Sequence, residues 1–389
     1  MAARVSAQTQ AQQARRAARS FDVVVAGGGL VGMALAYGLA RTGQRVAVCD
    51  GDDSAYRAAR GNFGLVWVQG KGSRCLPYAQ WSLDSSRRWG AFPAQLLRET
   101  GVNPCFVRPG GFELCEGAQQ LEDGRRLLES LHERDAGLDY EVFDTAALRR
   151  RIPAASAGLA GALYSRNDGH ANPLFTLRAL HEAFQALGGV YLPQHEVTDV
   201  IPHSGSFTVV TRRATLETGR IVLAAGLGNA RLGPMVGLDA PITPLRGQIM
   251  VTEKLAPFLD YPTLVVRQTR EGSVMLGDSA ENVGFDDGTS RAIMSDIARR
   301  AQTAFPLLAQ ARIVRAWGAL RIMTPDGLPV YEESPAHPGA FMAICHSGVT
   351  LAAAHADLLA PWMAGGPRPA VLDAFTTARF HASALSHHV

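Results

Sequence analysis

The sequence predicts an α/β fold in which a Rossmann-like dinucleotide-binding domain is interleaved with an antiparallel-sheet α+β domain. Three observations carry this. Phe21 to Asp50 (FDVVVAGGGLVGMALAYGLARTGQRVAVCD) reads as strand, glycine turn, helix and second strand. Arg220 to Asn229 (RIVLAAGLGN) reads as a buried apolar strand ending in glycines. Phe341 to Met363 repeats the opening logic, a short strand delivering His346-Ser347-Gly348 to a helix. Between these lie blocks whose alternating residues suit antiparallel strands.

In the first unit, Gly27, Gly29 and Gly32 fit G-x-G-x-x-G, and Asp50 closes the second strand. The glycines serve a tight turn, backbone approach to a pyrophosphate, and close packing of helix on strand. Unpaired N–H groups at the helix start favour phosphates, and a carboxylate at Asp50 can accept ribose hydroxyls. A membrane span or leader peptide competes for Phe21 to Ala40, which follows Arg15, Arg16 and Arg19. Glycines inside the apolar run and the lack of a small-residue cleavage site oppose it.

Ala58 to Gly72 (AARGNFGLVWVQGKG) is too glycine-rich for a good helix. It suits either a surface loop with one buried tryptophan or a backbone lying against a flat ligand. Pro77 to Thr100 is helical, and Cys105 to Cys115 reads as two short strands around Pro109-Gly110-Gly111. Gln119 to Arg134 is a charged amphipathic helix, and Asp144 caps a short one. Asn172 caps a helix with Pro173 at its first position, ending at Gly188-Gly189. Strands follow at 190–192, 196–201, 207–211 and 220–225. Further strands are expected at 244–252, 263–267 and 273–277, then a helix over 290–305. The stretch 313–323 runs into a Pro325-Asp326-Gly327 turn, and a last helix spans 349–363.

Composition narrows the function classes. The chain has 389 residues, 47% hydrophobic and 19% charged, as in an ordinary globular enzyme. A net charge of +3 argues against a nucleic-acid partner. The five cysteines form no CxxC, so no metal site is expected, and a cytoplasmic location fits. Outside the opening stretch nothing is apolar and long enough to span a membrane.

Taken together, AGGGLVG with Asp50, GNFG at Gly61 to Gly64, VLAAG at Val222 to Gly226, PLRGQ at Pro244 to Gln248, WGALR at Trp317 to Arg321, PDGLP at Pro325 to Pro329 and HSGVTLA at His346 to Ala352 carry a resemblance. In that order, over about residues 21 to 375, the chain resembles the glycine oxidase/D-amino-acid oxidase (DAO) family of FAD-dependent amine oxidoreductases. GNFGLVWVQGKG and CHSGVTLAAAHA look most like the opine oxidase B-subunit and D-hydroxyproline dehydrogenase type.

The resemblance implies FAD. FAD-binding parts fall at 21–85, 166–236 and 317–375, the substrate domain at 86–165 and 237–316, a disordered tail at 1–20 and a C-terminal tail at 376–389. Gly27, Gly29, Leu30 and Val31 would meet the pyrophosphate and Asp50 the ribose. Arg60, Gly61, Asn62 and Phe63 would lie along the isoalloxazine, Val197 against the adenine, with Gly226 and Gly318 nearby. Ser347, Gly348, Val349, Thr350 and Leu351 would stabilise the reduced flavin's N1–C2=O region. Arg321 would bind the carboxylate of the substrate and His346 would contact it, although a structural role for a lone histidine is equally open.

Two departures matter. Monomeric sarcosine oxidases hold flavin through a cysteine without a counterpart here, Cys345 only neighbouring it, so non-covalent FAD is expected. Their oxygen-activating lysine aligns with Met275, which favours a dehydrogenase passing electrons to a partner subunit, protein or quinone. D-Amino-acid oxidases also lack that lysine. The implied substrate is a small carboxylate-bearing amine, a D-amino acid, secondary amine or opine, oxidised by hydride transfer to an imine. An NAD(P)-dependent dehydrogenase and a flavin-bearing electron-transfer subunit are the rival readings.

Overall fold

Strict two-residue alternation builds the central sheet. In the computed structural model, which describes residues 20–51, 58–59, 61–134 and 137–380, the strand Ser20–Ala26 sends Val23 and Val25 to one face and Val24 and Ala26 to the other. Val46–Cys49 divides in the same way, as does Ala340–Ile344. Residues apolar on both faces suit a strand covered on both sides. The eight-stranded sheet runs Val330–Glu333, Ala340–Ile344, Thr215–Leu223, Ser20–Ala26, Val46–Cys49, Val190–Leu192. All of these pair in parallel except the first, and Ser206–Thr211 and Val197–His203 extend Thr215–Leu223 as an antiparallel branch.

Helices Leu30–Arg41, Leu76–Arg88 and Pro173–Ala186 pack one face, with the C-terminal helical segment. The leader or span reading of Phe21 to Ala40 gives way here, because its first residues are an internal strand and its last a buried helix. No helix among the described residues is long and apolar enough to cross a membrane.

A second layer is antiparallel. One sheet has the order Val266–Gln268, Ser273–Leu276, Thr243–Lys254, Ile313–Met323, and another Gly111–Cys115, Gly161–Ser165, Glu141–Asp144. A bridge from Phe112 to Thr263 joins them, and Phe112, Met250, Val266, Val274 and Ile297 share one core.

Several local expectations are corrected by tertiary contacts. The hairpin expected over Cys105 to Cys115 does not form. Only Gly111–Cys115 is a strand, paired with Gly161–Ser165, while Val107 bridges His170. The Tyr164 ring fills the space beside Gly110, and its hydroxyl donates to the Pro109 carbonyl at 2.9 Å, so the turn is used as a platform. The helix expected over Pro77 to Thr100 is two helices, Leu76–Arg88 and Phe92–Thr100. The break places Trp89 fully inside, where its indole N–H reaches the carbonyls of Val349 and Thr350 at 3.1 Å each.

The last helix is not continuous over 349–363. A turn at 348–351 leads through Ala352–Ala354 into a π-helical stretch, His355–Leu359, and then Ala360–Met363. There Pro361 has no N–H to give, and His355 Nε2 is paired with the Tyr331 hydroxyl at 2.7 Å. At the chain ends, Ser20 already belongs to a strand, and residues 1–19 and 381–389 lie outside the described residues. Residues 376–380, expected as tail, are anchored: Thr377 donates to Glu332 at 2.7 Å, and Arg379 pairs with Asp326 at 2.6 Å.

Candidate functional site

The carboxyl ends of the parallel strands open into a cavity of about 700 Å³ that the second sheet roofs over. Gly27 turns the chain out of the first strand with φ +108°, and a Cβ there would stand 2.4 Å from the Ala224 carbonyl oxygen. At Gly32 a Cβ would be 1.9 Å from the Gly27 oxygen, so the helix sits directly on the turn. The helix N-cap is Gly29, which has no side chain to satisfy the first amides, leaving them open towards the cavity. Asp50 is buried at the end of the second strand, where the Tyr191 hydroxyl donates to it at 2.9 Å.

The glycine-rich loop after residue 60 meets the roof. A Cβ on Gly61 would lie 2.3 Å from the Ala319 Cβ, and the Trp317 indole N–H reaches the Gly61 carbonyl at 3.3 Å. Asn62 closes the loop by accepting from the Gly64 amide at 2.7 Å. Behind it, buried Arg267 donates to the Phe63 carbonyl and to the Met275 sulfur, the latter at 2.8 Å. Farther along, buried Asp168 accepts from the Val68 amide at 2.5 Å and from the Gln69 side chain at 2.6 Å. Burial outweighs these donors and pushes its carboxyl up to about 7.

The opposite wall is the turn after Ala340–Ile344. It is held from outside by Trp89 and by Ser85, whose hydroxyl donates to the Thr350 carbonyl at 2.7 Å. Thr350 accepts from the Trp67 amide at 3.1 Å, tying this turn to the loop. Ser347 touches Tyr78 Oη and His346 Nδ1, each at 3.0 Å, and accepts a hydrogen bond from Lys71 Nζ. Burial, then the nearby cations Lys71 and Arg321, drive His346 down to about 3, so it is neutral near neutral pH.

Arg321 extends from Ile313–Met323 into the cavity through a gap that only a glycine leaves. A Cβ on Gly247 would be 2.4 Å from its Nη2. Its guanidinium donates to the Ser279 carbonyl at 2.6 Å and pairs with Asp278 at 2.5 Å.

Of the residues expected to form the site, Gly27, Gly29, Leu30, Val31, Asp50, Gly61, Asn62, Phe63, Val197, Gly226, Arg321, His346, Ser347, Gly348, Val349 and Thr350 line this one cavity. Gly318 does not: it lies under the 287–288 loop, where a Cβ would be 2.5 Å from two carbonyl oxygens. Leu351 points into the core instead, fully buried beside the helices. Arg60 lies outside the described residues. Val197 lines the cavity with its carbonyl engaged by Arg231 at 2.7 Å. Lys71, Gly247 and Asp278 were not singled out. PLRGQ carried the only signal for Gly247 and GNFGLVWVQGKG the one for Lys71, while nothing local marks Asp278. Among the described residues no His, Cys, Asp and Glu cluster could hold a metal ion.

Three buried imidazoles predict an acid response. Burial drives His170, His346 and His355 from 6.5 to about 3. Below 6.5 the unfolded chain takes up protons that the folded chain refuses, so stability falls as pH drops towards 3. Asp168 opposes this between 3.8 and about 7, since it ionises later when folded. Glu113, also raised by burial, opposes it likewise, and with three histidines against these two carboxyls the melting temperature is expected to fall from roughly pH 6.5 to pH 4. His355→Gln should shrink that fall in a pH series of thermal melts; an unchanged slope would exclude His355 from it.

The cavity can hold an extended dinucleotide along the strand ends with a flat ring between the loop at 61–63 and the turn at 347–350. Comparison with known proteins gives the family. The model of the DAO family, FAD dependent oxidoreductase, matches residues 22–362. The B-subunit of opine oxidase from Agrobacterium tumefaciens (strain Ach5) is 41% identical over 363 residues, covering 93% of this chain and 98% of that one. Glycine oxidase of Geobacillus kaustophilus (strain HTA426) is 26% identical, over 84% of this chain and 88% of its own. The crystal structure of glycine oxidase from Geobacillus kaustophilus superimposes with a TM-score of 0.86 at 25% identity, covering 92% and 98% of the two chains.

Proposed function

The chain belongs to the DAO family of FAD-dependent oxidoreductases, and from that premise we propose that it oxidises the C–N bond of an amino acid or N-substituted amino acid. The observation that carries this reading is the Arg321–Asp278 pair, a cation and an anion presented together in the cavity that the glycine turn and the 61–63 loop also line. An amino acid offers the complementary pair, a carboxylate for the guanidinium fork and an amine for Asp278.

The glycine cradle fits FAD at its ADP end, and when bound the flavin accepts a hydride at N5. The residues of this chain do the positioning. Arg321 fixes the carboxylate and thereby the direction of the α-C–H bond. Neutral His346 packs beside it without adding charge. Burial beside the flavin shifts the substrate amine towards its neutral, hydride-donating form, with Asp278 accepting a hydrogen bond from its N–H. Loss of the hydride and of the amine proton leaves an imine, which water hydrolyses. Anaerobic mixing with D-amino acids, N-methyl amino acids, D-hydroxyprolines and opines tests the reading by flavin bleaching. Bleaching by none of them overturns it.

FAD is held without a covalent link in this reading. Burial pushes the Cys345 thiol up to about 12, far from the thiolate a flavin bond requires. Acid precipitation is expected to release all the FAD into the supernatant; a yellow pellet would refute this. The five cysteines are free, which suits a reducing compartment. With Met275 buried against Arg267 where an oxygen-activating lysine is absent, electrons leave to a partner protein or quinone. The likeness to an opine oxidase B-subunit, named as one part of a larger enzyme, supports a multi-subunit assembly. Reoxidation by air in stopped flow should then be much slower than reoxidation by an artificial acceptor.

A further inference from the structure

Four polar side chains at the wall of the cavity fix one another's hydrogens. Ser347 Oγ has three partners among the described residues: Lys71 Nζ, and, each at 3.0 Å, Tyr78 Oη and His346 Nδ1. A hydroxyl oxygen accepts twice and donates once, so these contacts use its full capacity. The Lys71 ammonium can only donate. Tyr78 is buried, and its hydroxyl has one other partner among the described residues, that same Lys71 at 3.3 Å, which accepts nothing. A buried hydroxyl hydrogen needs an acceptor, and for Tyr78 that acceptor is Ser347 Oγ. With its lone pairs taken by Lys71 and Tyr78, Ser347 gives its own hydrogen to His346 Nδ1.

The imidazole is therefore held with Nδ1 bare. It is neutral near neutral pH, so its one hydrogen sits on Nε2. That nitrogen has no partner among the described residues and, unlike Nδ1 of His355, is not sealed inside the core. His346 lines the cavity, and Arg321, from another wall, acts on its charge. The opposite tautomer would turn a lone pair into the same space and repel an anion there.

We propose that Lys71, Tyr78 and Ser347 are positioning residues that fix His346 as its Nε2–H tautomer, making it a second hydrogen-bond donor, beside Arg321, to the substrate carboxylate. This rests on the amine-oxidising reading above and deepens it. The direction of the hydroxyl chain, rather than a charge on the imidazole, gives His346 its role.

NMR of holoenzyme carrying ring-nitrogen-labelled histidine tests it at neutral pH, with the His346 signals identified by their loss in His346→Gln. Propionate serves as an unreactive carboxylate, its binding read from the visible flavin spectrum. The wild-type enzyme is expected to show a protonated Nε2 and a bare Nδ1 at His346, with the Nε2–H signal moving when propionate is added. A protonated Nδ1, or an unmoved Nε2–H signal, overturns the proposal on the wild-type protein alone. Lys71→Arg, still a pure donor, should keep the tautomer. Lys71→Gln introduces an oxygen that can accept from the hydroxyls, so the Nδ1–H form should appear and propionate should bind roughly tenfold more weakly, as loss of a hydrogen bond to a charged group implies. In a His346→Gln background the same change should cost no more than about twofold, because the amide can turn its N–H to the carboxylate without help. A loss of equal size there means that Lys71 acts through its charge alone. A flavin midpoint potential that moves in Lys71→Gln with propionate affinity unchanged means that the Nε2–H serves the flavin. Either result overturns the proposal. If the tautomer and the propionate response stand but no amine bleaches the flavin, the donor stands and the amine-oxidation reading fails. If amines bleach an enzyme whose His346 carries Nδ1–H, the donor fails and that reading stands.

Discussion

Arg321→Ala is expected to retain FAD and the fold while losing most of its turnover of carboxylate-bearing amines. The guanidinium projects beside Gly247 into the cavity and gives its hydrogens to Asp278 and the Ser279 carbonyl. A substrate carboxylate that competes for the fork is held bidentately, which a methyl group cannot imitate. Truncating one partner of a desolvated charge pair costs about 2–5 kcal/mol, or roughly 30- to 4000-fold in kcat/KM. Arg321→Lys should fall between, because an ammonium offers a point charge in place of a planar fork. Steady-state kinetics with the best amine found by bleaching checks this, with the visible spectrum recording retained flavin. A change under threefold for Arg321→Ala would remove Arg321 from the substrate site.

Gly27→Val is expected to yield protein without FAD. The residue sits at φ +108°, where a β-branched side chain is strained, and its Cβ would collide with the Ala224 carbonyl at 2.4 Å. The turn must then shift, and the amides at the start of Leu30–Arg41 move with it. Gly29→Ala separates cofactor binding from folding. That backbone has an ordinary φ of −75°, and the nearest atom to an added Cβ is Ala59 Cβ at 3.8 Å. The Gly29→Ala apoprotein should therefore melt like wild-type apoprotein while binding FAD at least about tenfold more weakly, the methyl occupying the space the pyrophosphate needs. Flavin-fluorescence titration and thermal melts decide it; wild-type FAD affinity in Gly29→Ala would displace the pyrophosphate from this turn.

Much of the framework was legible because its causes are local. Val23 to Ala26 alternate between two cores, so the strand and its double coverage follow from the residues themselves. Asn172 caps the Pro173–Ala186 helix through its own side chain, accepting from the Leu174 and Phe175 amides. Legibility failed where a distant partner overrode a local pattern. Gly111–Cys115 pairs with Gly161–Ser165 rather than with its neighbour, since Phe112 packs against Tyr164 and Tyr261 with ring centroids 4.8 and 5.2 Å away. Trp89 broke a helical run to cap carbonyls more than 250 residues on. Gly318 sat in a motif whose neighbours do line the cavity, yet the 287–288 loop packs directly over it.

By itself the sequence determined the nucleotide-binding turn and the sheet beneath it, because glycine sterics and the two-residue period act within a few residues of chain. Only the tertiary structure decided which charges meet. Lys71, Asp278, Arg321 and His346 stand on four separate segments, and the pairing of Arg321 with Asp278 exists only once the antiparallel sheet closes over the strand ends. Electrostatic pairing falls off within a few ångströms, so it is set by the packing of segments and carries no signature along the chain.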